Sequence, residues 1–356
     1  MFKQRILGLE IGNSNIKLLE CRKKGENLIV EKSKILKTPS QAISDGIIID
    51  TFKVCDLIEN ELRKNNYRAR DLAIVIKSSE IITRDIRMDK MPAKDLNDIM
   101  KLQYHEYLLV DTSEYQITHK VVGEVESGDT EEQEVLIVAA PNRLLNPLIE
   151  IADRLKLKIK LINISSDAVS NLFDADNFLM DMKEEEALVI DIGGKSTSVT
   201  IISGGVGVLS KDINFGLEEL DNMITGHFGS KQIGDLERFK SKYGAIYEDD
   251  EDDNNDDIYG KFISKSLKPM IDHKLAPEIR RLLQFHFSRG RKGAIERAYI
   301  IGGGAGIKNI DKYMSDLLEI PCTAGINLDM TKVISDEEIQ SKSEYFANIL
   351  GLMSEF

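Results

Sequence analysis

The sequence predicts an α/β protein built as two mixed lobes around a cleft, and three observations lead there. The stretches "ILGLEIGNSNIKLLE" (6–20) and "ALVIDIGGKSTSVTIISGG" (187–205) share one shape: an apolar strand ending in an acid, a glycine turn, and a second strand leaving at once. Each hairpin is followed by a third strand, a helical region and a further buried strand, which marks an internal duplication. Between the two copies lies a block of different pattern.

In chain order, residues 5–11, 16–21 and 28–36 read as strands, separated by turn-prone Gly12-Asn13-Ser14 and Gly25-Glu26-Asn27. A helix from Thr51 to Asn65 carries Val54, Leu57, Ile58 and Leu62 on one face. "DLAIVIKS" (71–78) is a buried strand. Next come strand "EIITRDIRMD", a helix over 93–109, and strands "YQITHKVVGEV" and "EVLIVAAP", with "ESGDTEEQE" as an exposed hairpin tip. A helix over 142–155 and a strand over 157–163 follow. The second copy supplies strands 187–192, 196–203 and 206–214, then helices, then strand 298–302. The acidic run "YEDDEDDNNDD" (247–257) reads as a solvated loop; it lacks the sixth-position glycine and distal glutamate of an EF-hand calcium loop.

Composition narrows the function. A chain of 356 residues has room for two domains with their own cores. With 42% apolar and 30% charged residues it is a globular composition, not a disordered one. A net charge of -13 argues against binding the phosphate backbone of nucleic acids. Cys21, Cys55 and Cys322 are scattered and odd in number, which suits a reducing compartment and offers no metal cluster. No apolar run approaches the roughly 20 residues of a membrane span, and the N-terminus has no secretory apolar core. The expected location is the cytoplasm.

The two turns point to phosphate chemistry. Glycine and small polar residues expose backbone N–H groups that cradle phosphate oxygens. Lys17 follows the first turn closely enough to reach a phosphate. Glu10 and Asp191 end buried strands, where they suit a hydrated magnesium. Either hairpin alone also fits an ordinary β-turn; their repetition with an acid before each turn favours a ligand. A third glycine stretch, "RAYIIGGGAGIKNIDKYMSDLL", runs strand, Gly302-Gly303-Gly304, amphipathic helix, a pattern used to contact nucleotides. In "APEIRRLLQFH", Glu278 and Arg281 lie three apart on one helical face. They suit a ribose and an adenine, or equally a surface ion pair.

This order of phosphate hairpin, second hairpin, Glu-bearing helix and glycine-rich strand-helix resembles the actin-like ATPase superfamily. Within it the chain is most similar to the PilM family of type IV pilus assembly proteins, relatives of the cell-division protein FtsA. "GLEIGNSNIKLLE", "LERFKSKYG" and "EYFANILGL" carry the more specific likeness. The resemblance implies an actin-like two-lobed ATPase fold of duplicated ribonuclease-H-like domains with a small inserted α+β subdomain. It divides the chain into a first lobe (1–77, 161–186 and 338–356), the insertion (78–160) and a second lobe (187–337). It further implies ATP and magnesium. Gly12, Asn13, Ser14, Asn15 and Lys17 would meet the phosphates from one side, and Asp191, Gly193, Gly194, Lys195 and Ser196 from the other. Glu278, Arg281, Gly302, Gly303, Gly304 and Ile307 would hold the nucleoside, and Glu10 and Asp191 the metal, through water.

Two features depart from the family pattern. Glu10 stands where an Asp is usual, and near "INISSDAVSNL" only Ser166 and Asp167 are candidates for positioning a water, Asp167 being equally suited to cap a helix. Slow or undetectable hydrolysis is therefore expected. The implied role is a cytoplasmic adaptor that holds the N-terminal tail of a PilN-like inner-membrane protein and links it to the pilus assembly ATPase. Self-association stays open. A groove walled by "EIITRDIRMD" and a helix bearing Leu102, Tyr104 and Leu108 is the expected tail site. An FtsA-like filament former, a superfamily kinase and a scaffold without nucleotide are the alternatives. "GLMSEF" offers no basic-apolar membrane tail, so membrane recruitment is expected to go through the partner.

Overall fold

Short-range turn signals set the first sheet. In the computed structural model, which describes residues 4–127, 130–174, 186–248, 257–288, 293–335, 339 and 342–356, strands β1 (Arg5–Ile11), β2 (Asn15–Lys24) and β3 (Asn27–Lys37) form an antiparallel meander. A small hairpin, β4 (Ile43–Ser44) and β5 (Ile47–Ile48), leads into helix α1 (Thr51–Lys64). The Asp50 carboxylate accepts a hydrogen bond from Lys53 N at 3.0 Å and so caps α1, supplying one of the acceptors that helix N-termini lack. Strand β6 (Asp71–Ile76) is buried along its whole length and pairs parallel to β1, as a strand covered on both faces should.

The chain then leaves this sheet. Strand β7 (Ile82–Asp89), helix α2 (Ala93–Tyr107), β8 (Tyr115–Ser127) and β9 (Thr130–Pro141) build a separate antiparallel sheet of order β7-β9-β8. Leu96 and Met100 of α2 seal it against Val135, Ile137 and Ala139 of β9. Helix α3 (Asn142–Leu155) and strand β10 (Lys158–Ile164) return to the first lobe. There Leu144, Leu148 and Ile151 join Leu7, Leu9, Val54 and Ile58 in one core. Helix α3, inside the expected 78–160 block, therefore packs with the first lobe. The short helix α4 (Ser165–Ser170) follows β10.

The second lobe repeats the plan. Strands β11 (Glu186–Ile192), β12 (Thr197–Ser203) and β13 (Val206–Ile213) form another meander. Helices α5 (Leu217–Phe228), α6 (Ser230–Ile233), α7 (Leu236–Tyr243), α8 (Ile258–Met270) and α9 (Ala276–Ser288) come next, the last two joined by a π turn over Ile271–Leu275. Strand β14 (Arg297–Ile301), helix α10 (Ile310–Leu318) and strand β15 (Cys322–Ala324) complete the sheet. The first sheet runs β10-β6-β1-β2-β3-β16 and the second β13-β12-β11-β14-β15. Read from the third strand of each copy, the first five positions coincide, with β16 (Val333–Ile334) added beside β3. The duplication is thus one of topology, and the fold is the expected α/β pair of lobes.

A further core joins the sheets. Leu19 and Val75 from the first, and Val189 and Ile202 from the second, enclose Phe346, Ile349 and Leu350 of the last helix, Ser343–Ser354. The lobes consequently share an apolar base, and the cleft opens above it. Most of the acidic run, residues 249–256, lies outside the described residues.

Candidate functional site

The two hairpin turns fold alike because each closes on the same backbone contact. Gly12 N donates to Asn15 O and Gly193 N to Ser196 O, both at 3.0 Å. They meet face to face: a Cβ on Gly194 would collide with Ser14 Oγ. The start of α5 braces the second turn, with Leu217 N donating to Gly193 O (3.1 Å) and Glu218 N to Gly194 O (2.7 Å). At Gly302 the backbone takes φ +77°, and any Cβ there would strike the Asp191 carboxylate. Glycine is needed at that position on both counts.

Charge is paired at each acid. Lys17 Nζ lies 2.8 Å from Glu10 Oε1, and both side chains are nearly buried. Among the described residues, the other oxygen, Glu10 Oε2, is buried with no hydrogen-bond partner, as is Asn13 Oδ1. Buried oxygens of this kind are costly unless a ligand, ion or water satisfies them. Asp191 accepts from Lys77 Nζ at 3.3 Å and from Asn348 Nδ2 at 3.2 Å. Burial alone would push its carboxyl upward, but the Lys77 and Lys17 ammoniums and the Asn348 amide outweigh it and hold the group below the usual range. Asp191 is therefore ionised at neutral pH.

One cleft gathers Glu10, Gly12, Asn13, Ser14, Asn15, Lys17, Asp191, Gly193, Gly194, Lys195, Ser196, Gly302 and Gly303, all anticipated from the sequence. Gly304 packs against Ile192 behind it, and Ile307 is buried in the second-lobe core. Glu278 and Arg281 are not among the lining residues. Glu278 pairs with Lys211 at 2.6 Å and with Arg281, so the surface ion pair is what the structure contains. The cleft is instead bordered on that side by Glu237 and Lys240 of α7, with Asp221 and Tyr345. Lys240 Nζ sits 2.9 Å from Asp221 Oδ1 and 3.0 Å from Glu237 Oε1. Burial disfavours its charge, yet the two carboxylates prevail and keep it protonated.

Sequence reading missed these residues, and Lys77, for different reasons. Glu237 and Lys240 lie three apart within "LERFKSKYG", a signal equal in kind to the Glu278–Arg281 spacing. Lys77 and Tyr345 carry no local signal. Ser166 borders a neighbouring crevice, whereas Asp167 pairs with Lys120 of β8 at 2.8 Å and caps no helix. Of the expected groove walls, Leu108 is buried and Tyr104 OH is bonded to His119 Nδ1 at 2.7 Å, while Leu102 is exposed. Among the described residues there is no group of three or more His, Cys, Asp or Glu arranged for a metal, and no helix is long and apolar enough to cross a membrane.

Known proteins align with this geometry. A family model described as "Type IV pilus assembly protein PilM" matches residues 8–353. Among solved structures, a chain of a PilM–PilN type IV pilus biogenesis complex is 21% identical, covers 98% of this chain and 97% of its own, and superposes with a TM-score of 0.76. The ethanolamine utilization protein EutJ from Carboxydothermus hydrogenoformans is 12% identical over 99% of this chain and 90% of its own, with a TM-score of 0.55. MreB5 of Spiroplasma citri bound to AMPPNP is 14% identical over 98% and 95%, with a TM-score of 0.52. These likenesses show the fold, which is actin-like.

Proposed function

The chain belongs to the family of the type IV pilus assembly protein PilM, and on that premise we propose that it serves pilus assembly as an ATP-binding adaptor. The match runs from residue 8 to 353, so neither a cell-division filament former nor a superfamily kinase is favoured. The observation that carries the nucleotide reading is the opposed pair of acid-glycine turns, with Glu10 Oε2 and Asn13 Oδ1 buried and unpartnered between them. MreB5, of the same fold, binds AMPPNP. Phosphates would take up the turn N–H groups together with Lys17 and Lys77, and the α7 pair Glu237 and Lys240 replaces Glu278 and Arg281 as the proposed grip on the ribose. Magnesium fits beside Glu10 and Asp191. It would neutralise phosphate charge and, lacking a ready-made cage of carboxylates, would arrive with ATP and its waters.

The partner is proposed to be the N-terminal tail of a PilN-like membrane protein, which brings the adaptor to the inner face of the cell membrane and joins it to the assembly ATPase. A complex of PilM with PilN exists for the relative of the same fold. Among the described residues β7 pairs with β9 on one side only, and an edge strand offers unpaired backbone groups to an incoming peptide. Calorimetric titration with the synthetic tail tests this. Ile82 and Ala139 are register neighbours, so residues 82–139 can be replaced by a short turn while α3 is kept. That variant should lose the tail and keep ATP. Tail binding that survives the excision, or no binding by the intact protein, refutes the reading.

A further inference from the structure

One carboxylate on the cleft side of the second sheet is used by neither turn. Register sets Asp191 of β11 beside Ser198 of β12, and Ser198 beside Asp212 of β13. Register partners on neighbouring strands face the same way, so the three form one polar row. At about 4.8 Å per strand, Asp212 stands roughly 10 Å from Asp191 along it. Asp191 lines the phosphate cleft, Ser198 and Asp212 border the neighbouring crevice, and Val189 and Ile202 of the same two strands belong to the apolar base.

Asp212 is held but not neutralised. Ser198 Oγ donates to its Oδ1, and among the described residues it forms no ion pair. Asp212 is exposed at its edge of the row; desolvation by the packed strands, with Asp191 and Asp45, raises its carboxyl above the usual range against the opposing Lys77 charge and the Ser198 hydrogen bond. Asp212 borders a crevice of about 200 Å³ together with Lys77, Ser165, Ser166, Ser198 and Ser210. At roughly 30 Å³ per molecule, that space admits several waters. Lys77, whose ammonium reaches Asp191, borders both this crevice and the phosphate cleft. Of the two residues expected to position a water, Asp167 is engaged by Lys120 and Asn163, while Ser166 lines the same crevice as Asp212.

We propose that Asp212 holds the water that attacks the terminal phosphate of ATP and accepts its proton; this rests on the ATP site proposed above. In the step, the water oxygen bonds to the γ-phosphorus. The bond from that phosphorus to the bridging oxygen breaks, and its electron pair stays on ADP. The proton passes to the Asp212 carboxylate and then to solvent, giving ADP and inorganic phosphate. Ser198 positions the base, and Lys77 stands between base and phosphate. The chain is by this assignment a slow ATPase whose base lies on β13, outside both turns.

The test compares the full chain with Asp212→Asn, which keeps an acceptor for Ser198, and with Ser198→Ala. ATP affinity is measured with magnesium, and phosphate release under saturating ATP. Wild type should release phosphate slowly, and Asp212→Asn should lower the rate by about 100-fold, the usual scale for loss of a general base. Its ATP affinity should stay within about threefold of wild type, a change of at most about 0.7 kcal/mol. Ser198→Ala should slow release less than Asp212→Asn, again with affinity kept. With isotope-labelled aspartate, the carboxyl resonance that Asp212→Asn removes should move when a non-hydrolysable ATP analogue is added. A wild type that binds ATP without releasing phosphate, an Asp212→Asn of undiminished rate, or a resonance blind to the analogue overturns the assignment. A wild type that fails to bind ATP instead removes the site itself.

Discussion

The first acid-glycine hairpin and the second are built on one plan and differ in whom their acids touch. Glu10 is paired inside its own hairpin, since register sets it opposite Lys17 and their side chains meet at 2.8 Å. Asp191 has a serine opposite it, Ser198, and reaches out for its partners. They are Lys77, just past β6 of the first sheet, and Asn348 of the last helix. The first acid is thus satisfied locally and leaves one oxygen unpartnered, while the second ties the lobes together. Ligand binding at the first hairpin changes a local pair; at the second it changes a contact between lobes. A nucleotide that draws Lys77 toward its phosphates would loosen that tie and replace it with its own bridge, which is the differential interaction a conformational switch requires.

The largest expected effect removes one charge from each side. Lys17→Ala combined with Asp191→Ala deletes a cation meant for phosphate and an acid meant for hydrated magnesium. Each charge-assisted contact contributes about 1.5–3 kcal/mol, so ATP affinity measured by calorimetry should fall by about 100-fold or more. Unchanged affinity in the double variant would remove both hairpins from the site. Next comes Gly302→Ala. A backbone at φ +77° and ψ −165° is open essentially to glycine alone and costs another residue about 1–3 kcal/mol, and here the new methyl also meets Asp191. Lower thermal stability together with weaker ATP binding is expected. Stability loss without any loss of affinity would show that the Asp191 carboxylate does not need its present position.

Smaller still is Gly194→Ala, whose Cβ meets the end of one short side chain, Ser14 Oγ, rather than backbone. Weakened ATP binding is expected from hairpins held apart, and Ser14→Ala in the same chain should restore most of it. A double variant as weak as Gly194→Ala alone would mean that the two turns do not touch as the structure has them. That cycle probes the contact between the hairpins, as distinct from the chemistry of each.

How much of this was legible follows the range of the interactions. Both turns were readable because glycine, small polar residues and an acid are neighbours in sequence, and the repeated strand order followed from them. Which helix faces the nucleoside was not readable. Glu237–Lys240 and Glu278–Arg281 have the same three-residue spacing, and only the packing of α7 and α9 decides that the first borders the cleft and the second pairs with Lys211 outside it. Lys77 was invisible for a related reason. Its place depends on the parallel register that sets Val75 beside Glu10, a contact between residues 65 positions apart. Asp212 needs two successive registers, β11 to β12 and β12 to β13, before it joins the row of Asp191. The inserted block was read as strands and a helix, yet its walls were not, because the helical pattern that marks Tyr104 and Leu108 as apolar cannot say that they serve the subdomain's own core.

The smallest expected effect sharpens the comparison itself. Glu10→Asp makes the first acid the same residue as the second, one methylene shorter. Glu10 now reaches Lys17 with one oxygen and leaves the other buried without a partner in the cleft. Shortening it draws both oxygens toward the strand, stretching the contact with Lys17 and withdrawing the free oxygen from the cleft. If that oxygen serves a magnesium-bound water, the enhancement of ATP affinity by magnesium should fall, while binding measured without magnesium stays as it was. Because a water intervenes and can follow the carboxylate, the loss should remain under tenfold, that is under about 1.4 kcal/mol. The fold should be unaffected, since Asp191 and its partners across the lobes are untouched. A gain in magnesium-dependent affinity would mean that the longer side chain holds the metal poorly and that the two hairpins work best with identical acids. A loss as large as that of the double variant would mean that Glu10, although its pairing is local, carries as much of the metal site as Asp191.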